Sequence, residues 1–229
     1  MILSKLRALF TALQFTITVS VVIILMYIFR DNNYRIRNLW ARMQLKLMGV
    51  KLEIKGEMDK NAQMYIMNHQ SILDIVLYEA IAKRNLAWVA KKEIADIPWF
   101  GNILKAPRMI IVERENKTSL VKLLKDAKNR LDNGRPIVIF PEGTRSDGNK
   151  LRKFKAGARM IADKNKLLVQ PMIVVGTRKI FDSQNFNQRS GTVKVIYLPS
   201  VQAQKGTNWF EEAENQMRET LKKENIRGI

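Results

Sequence analysis

Between Ala8 and Phe29 the chain runs for 22 residues without a charged side chain, with Lys5 and Arg7 before it and Arg30, Arg35 and Arg37 after it. A helix of that length reaches across a hydrocarbon core of about 30 Å. A secretory leader shares the basic start and apolar stretch, but "MYIFRDNN" offers no small-residue cleavage site. Thr11, Gln14, Thr16, Thr18 and Ser20 weaken a simple span, so a hairpin entering one leaflet is an equal alternative. The next segment places Ile36, Leu39, Trp40, Met43 and Leu47 at helical spacing with Arg35, Arg42 and Lys46 off the stripe. That pattern suits a basic amphipathic helix on an anionic membrane surface; an ordinary core-packing helix is the plainer reading.

The balance of 40 Lys and Arg against 21 Asp and Glu gives a formal charge of +19, so an anionic partner is expected, either acidic lipid or nucleic acid. The basic residues are spread along the chain without a recognition motif, which disfavours nucleic acid. With no cysteine and one histidine, disulfides, thiol nucleophiles, Cys-based zinc sites and His-rich metal sites are excluded. No metal or cofactor is expected. The G-x-S-x-G elbow, the Walker loop and G-x-G-x-x-G are also missing.

Beyond Gly49, β-rich runs at Lys51–Lys55, Gln63–Met67, Leu86–Ala90, Met109–Val112, Pro136–Phe140, Leu168–Val175 and Thr192–Leu198 alternate with helical patterns. Leu120, Leu123, Leu124, Ala127 and Leu131 form one helical stripe that Gly134 stops, and a last helix is expected from Asn208 to about Lys223. The class is α/β. Residues 1–49 read as an N-terminal membrane anchor of two helices and residues 50–229 as one α/β domain.

The single histidine, His69, lies in "MYIMNHQSILDIVLYEA" five positions before Asp74. A lone histidine beside an apolar run is often only a hydrogen-bonded structural residue. An imidazole can nevertheless exchange a proton near neutral pH, and a carboxylate orients it. Residues five apart project roughly 140° apart on a helix, so the two meet only if His69 lies in the turn between strand and helix. A second polar stretch, "PIVIFPEGTRSDGNKLRKFKAGA", places Glu142, Gly143, Thr144 and Arg145 after a buried strand, where α/β folds collect ligands. Arginine and exposed amides there suit a phosphate; a solvated turn is the alternative.

Together, "NHQSILD" and "FPEGTRS" resemble the glycerophospholipid acyltransferase family, and most closely its members acting on 1-acyl-sn-glycerol-3-phosphate. Asn68, His69 and Asp74 match the N-H-x-x-x-x-D block, and Phe140 to Ser146 match the F-P-E-G-T-R-S block. "KKEIADIPWFGNILKAPRMIIVERE" is similar to the acceptor-binding region, with Arg114 at the phosphate-contacting arginine, although Ala106, Pro107 and Arg108 stand where the family usually has a small residue and glycine. "LLVQPMIVVG" resembles the fourth block.

The resemblance, covering Lys51 to Gly176, implies a single mixed-sheet acyltransferase domain with flanking helices. It implies transfer of an acyl group from acyl-coenzyme A or acyl-carrier protein, as co-substrate, to lysophosphatidic acid, giving phosphatidic acid. His69 would be the base and Asp74 its orienting carboxylate; Arg114, Glu142, Gly143, Thr144, Arg145 and Lys105 would hold the acceptor, with Glu142 orienting its neighbours. Membrane phospholipids would be partners, at the cytoplasmic membrane with the catalytic domain facing the cytoplasm. Other readings are a family member using glycerol-3-phosphate or another lysophospholipid, a hydrolase with an acyl-serine at Ser71 or Ser146, and a membrane-tethered basic binding protein.

Overall fold

A computed structural model describes residues 2–113 and 117–226. All seven expected strands form, within a residue or so of the expected bounds: β1 Val50–Lys55, β2 Met64–Met67, β3 Ala87–Lys91, β4 Ile110–Val112, β5 Ile137–Ile139, β6 Leu168–Val175 and, after the short β7 Phe181–Asp182 and β8 Asn187–Gln188, β9 Gly191–Tyr197. They assemble in the order β1-β9-β6-β2-β5-β3-β4, and a two-residue β10 (Val201–Gln202) pairs with β6. The sheet is mixed: β2 runs parallel to β5 and β6, β3 parallel to β4 and β5, and β1 parallel to β9, whereas β6 and β9 are antiparallel.

Helices cover both faces. Along β2, Met64 and Ile66 join one apolar cluster while Tyr65 and Met67 join another, as the two-residue period of a pleated strand requires. The first cluster packs under α6 (Lys117–Asp132), α7 (Ala156–Asn165) and α9 (Trp209–Ile226), through residues such as Leu123, Ile161, Phe210 and Met217. The second packs against α2 (Asn33–Leu47) and α3 (Leu73–Ile81), through Ala41, Leu73, Leu77 and Tyr78. A central strand buried on both faces explains why "MYIM" reads as a continuous apolar run rather than an alternating one. Helix α7 has no counterpart among the expected elements, because glycine and four basic residues within "LRKFKAGAR" blur its periodicity.

The apolar N-terminal segment is the helix α1, Ile2–Ile28, the one helix among the described residues long and apolar enough to cross a membrane. It runs antiparallel to α2: Gln14 and Gln44 exchange amide hydrogen bonds, and Trp40 Nε1 donates to Thr18 Oγ1 at 3.0 Å. Of the polar residues that interrupt α1, Gln14 and Thr18 therefore serve the helix pair. Arg37, which the sequence places in a basic flank, is instead buried in an ion pair with Glu79 of α3, and donates to Asn85 Oδ1 at 2.8 Å. Asn38 caps this junction by donating to the carbonyls of Glu79 and Ala80. Leu39, Met43 and Leu47 of the expected stripe stay exposed, along with Phe10, Leu13, Ile17, Val21 and Ile24 of α1.

Arg108 adopts φ 51, the left-handed region, which glycine takes more readily than a residue with a Cβ. Its carbonyl accepts from Arg130 Nε at 2.6 Å, so the strained turn is tied to α6.

Candidate active site

β2 ends at Met67 and α3 begins at Leu73, which leaves His69 in the connecting turn. Asn68 fixes that turn to the sheet: its amide donates to Val174 O and its carbonyl accepts from Val174 N–H, at 2.9 and 2.7 Å. From there His69 Nδ1 lies 2.8 Å from Asp74 Oδ2. The same oxygen accepts the N–H groups of Gln70 and Ser71 at 2.6 and 2.9 Å, and the Thr177 hydroxyl donates to Oδ1. Four donors around a fully buried carboxylate hold it in one orientation, which a buried charge requires.

The His69 side chain is 15 % exposed against 0 % for Asp74, so the imidazole is reachable from outside and the carboxylate is not. With Nδ1 on Asp74, Nε2 has no partner among the described residues and carries the lone pair of the tautomer this pairing favours. The Phe140 ring lies against the imidazole at a centroid distance of 3.8 Å and 14° between planes. Behind Phe140 stands Trp88, whose Nε1 donates to Glu79 Oε1 at 2.7 Å. Asp74 thus sets one edge of the ring and Phe140 one face.

The turn after β5 grips the backbone of His69 from both sides. Glu142 Oε1 accepts the His69 N–H at 2.8 Å and Oε2 accepts the Arg152 N–H at 2.7 Å, while the His69 carbonyl accepts from Ser146 N–H at 2.8 Å. Glu142 is itself buried, and burial pushes its carboxyl up to about 7 against the two N–H groups that favour the charged form. It orients its neighbours. Gly143, at φ 73, makes the reversal that lets Glu142 point inward; Thr144 and Arg145 are exposed on the same turn, Arg145 Nη1 donating to Ser183 Oγ at 2.8 Å.

The structure therefore gathers His69, Asp74, Glu142 and Gly143 in one bonded cluster with Thr144 and Arg145 on its rim. Lys105 ends α5 (Asn102–Lys105), exposed, with no hydrogen bond to this cluster; Arg114 lies outside the described residues. Ser71 Oγ donates to Phe181 O and Ser146 Oγ to His69 O, both residues being buried, so neither hydroxyl is set against the imidazole as an acyl-serine would need. Among the described residues no group of three or more Asp, Glu and His could hold a metal ion.

Nothing in the local sequence gives Thr177, Phe140 or Trp88 a role of its own. Thr177 has one faint signal, the preceding Gly176: at φ 96 a Cβ there would meet Thr192 O at 2.7 Å, so only glycine lets β6 turn at once into α8 (Thr177–Ile180) and aim Thr177 at Asp74.

A family model described as acyltransferase matches residues 49–175. The 1-acyl-sn-glycerol-3-phosphate acyltransferase of Helicobacter pylori is 39 % identical over 93 % of this chain and 92 % of its own length. The protein of the same name from Cocos nucifera is 30 % identical over 76 % of this chain, which spans 56 % of that longer relative. The crystal structure of the 1-acyl-sn-glycerophosphate acyltransferase from Thermotoga maritima shares the fold, with a TM-score of 0.78 over 100 % of this chain and 98 % of the other, at 22 % identity. On the match of more than half its length and on a relative of nearly equal extent, the chain belongs to the acyltransferase family.

Proposed function

We propose that this enzyme transfers a fatty acyl group from a thioester to the sn-2 hydroxyl of lysophosphatidic acid, giving phosphatidic acid. The observation that carries the reading is the 2.8 Å contact of His69 Nδ1 with a buried Asp74, which leaves the other nitrogen of a partly exposed imidazole outside that pairing. His69 Nε2 takes the hydroxyl proton as the oxygen attacks the thioester carbonyl; the C–S bond then breaks, the sulfur leaves as thiolate, and the proton held by the imidazolium passes to it, restoring the base. With a thiol pKa of about 8.5 the sulfur needs little acid assistance, so a single base suffices. Asp74 stabilises the imidazolium formed in between.

Thr144 and Arg145 on the exposed rim supply a hydroxyl and a cation for the acceptor's phosphate and glycerol, as would Arg114 and Lys105. The donor is acyl-coenzyme A or acyl-carrier protein, used as a co-substrate. The exposed apolar faces of α1 and α2, with Lys5, Arg7, Arg30, Arg35, Arg42 and Lys46 exposed beside them, support a protein lying on anionic phospholipid, its catalytic domain on the cytoplasmic side of the cytoplasmic membrane. There it meets a lipid acceptor and a water-soluble donor together.

The test is acyl transfer by purified enzyme in vesicles, with lysophosphatidic acid, glycerol-3-phosphate and other lysophospholipids offered at matched concentration. Either donor is supplied, with His69→Ala in parallel. Phosphatidate formed from lysophosphatidic acid by the parent alone supports the reading. Preference for another acceptor, or full turnover in His69→Ala, overturns it.

A further inference from the structure

The segment between β3 and α5 exposes Ile94, Ile97 and Trp99, at 46 %, 46 % and 48 %. These are large apolar groups outside any cluster of the core. Ile94 lies on a single helical turn, Lys92–Ala95, and Ile97 and Trp99 on the tight bend after it: Gly101 N–H donates to Ile97 O at 2.9 Å, and a Cβ on Gly101 would lie 2.0 Å from Ala95 O. Trp99 itself is held at φ 63, a conformation that costs a bulky residue free energy and tends to persist where function demands it. The Trp99 side chain is half exposed, so burial in the core does not account for this conformation.

The turn is fastened to α1. Trp99 Nε1 donates to Ser20 Oγ at 2.9 Å, Tyr27 OH donates to Asn102 Oδ1 at 2.8 Å, and Phe100 and Ile103 pack against Val19, Val22, Ile23 and Met26. At about 100° per residue, Ser20 and Tyr27 project from one flank of α1, while Gln14 and Thr18, which bind α2, project from the other. The exposed stripe of Leu13, Ile17, Val21 and Ile24 lies between the two flanks. The outer surface of α1 is thus bordered by α2 with Leu39 and Met43 on one side and by Ile97 and Trp99 on the other.

We infer that the Ile94–Trp99 turn is a third lipid-contacting element, inserting its isoleucines and the Trp99 indole into the same anionic phospholipid surface that receives α1 and α2. The inference rests on the membrane reading given above for those helices. Three observations favour a bilayer as the occupant. The patch is continuous with the α1 face; it carries an indole whose N–H is held by Ser20 while its apolar part stays exposed, an aromatic of the kind that settles near the headgroup level; and along residues 92–108 the exposed cations Lys92, Lys105 and Arg108 outnumber the exposed Glu93 and Asp96, as an anionic surface favours. Because β3 lies parallel to β5 and, through it, β2, this turn follows the same sheet end that carries His69. Its insertion would bring the site's rim to the lipid.

The chain has no cysteine, so single-cysteine variants of the full chain report cleanly. Ile97→Cys, Ile17→Cys and Glu219→Cys, the last on the exposed part of α9, are labelled with nitrobenzoxadiazole and mixed with phosphatidylcholine–phosphatidylglycerol vesicles. A rise and blue shift in emission at positions 97 and 17 but not at 219 is expected. A shift at 17 with none at 97 overturns the inference and leaves the membrane reading of α1 standing; no shift at either overturns both. In the unlabelled protein, Ile97→Asn should weaken vesicle partitioning by roughly tenfold, the effect of withdrawing one large aliphatic side chain from lipid. Unchanged partitioning also overturns it.

Discussion

Thr177 donates its hydroxyl proton to Asp74 Oδ1, the carboxylate oxygen that His69 does not use. Two residues 103 positions apart thereby share the task of holding one buried charge. Thr177→Val removes the donor and leaves that oxygen without it, a loss of about 1–3 kcal/mol in how firmly the carboxylate is placed. The expected result is a drop in kcat of roughly tenfold or more with little change in KM, and recovery in Thr177→Ser. An equal loss in the serine variant would show that packing, rather than the hydroxyl, matters here.

Asp74→Asn keeps the shape but removes the charge that stabilises the imidazolium and selects the tautomer. Turnover should fall on the order of 10²-fold or more, with thermal unfolding little moved because one amide oxygen can still accept from Gln70 and Ser71. A variant that retains parental kcat would exclude Asp74 from this role.

Glu142 carries the pH signature. Its folded pKa of about 7 lies above its ordinary 4.5, so the folded chain holds this proton more tightly than the unfolded one. The resulting stabilisation is fully present below the unfolded pKa and is lost as pH rises through about 7. Relative to Glu142→Gln, which does not titrate, the parent should lose on the order of 3 kcal/mol or less between pH 4.5 and 8. Urea unfolding of both proteins at several pH values measures the difference; parallel curves would show that Glu142 keeps an ordinary carboxylate pKa.

The Arg37–Glu79 pair joins α2 to α3 with both side chains under 10 % exposed. Arg37→Met leaves the buried Glu79 carboxylate without its ion-pair partner and with the Trp88 N–H as its remaining side-chain donor, and should cost about 3–5 kcal/mol. The double variant Arg37→Met/Glu79→Gln should regain much of that. Comparison of melting temperatures tests both statements, and a double variant no better than the single would locate the loss in packing.

Arg145 is exposed, with Ser183 Oγ as its hydrogen-bond partner, so removing it disturbs little of the fold. Arg145→Ala should raise KM for lysophosphatidic acid by roughly 10- to 100-fold, the value of a charge-assisted hydrogen bond to phosphate, and leave KM for the thioester unchanged. A parallel rise for both substrates would contradict a contact with the acceptor.

Local patterns were enough to define the class, the seven main strands, the two long polar–apolar helices α6 and α9, and the His69–Asp74 pair, because each depends on residues within one element or one turn. The β2–α3 turn brings imidazole and carboxylate together from five positions apart, a distance that chain geometry alone constrains. What required the tertiary structure is every partner contributed from across the sheet. Thr177 reaches Asp74 through the β6–α8 turn, Phe140 and Trp88 stack behind His69 from β5 and β3, and Glu142, expected to orient its neighbours, finds in the His69 amide the particular group it holds. Arg37 looks like a surface cation in sequence, and becomes a buried one only because Glu79 and Asn85 wait for it on α3 and the loop beyond. Hydrophobic periodicity reports which face of an element is buried; it carries no information on which distant polar group will meet another there, and that pairing is decided only when the layers close.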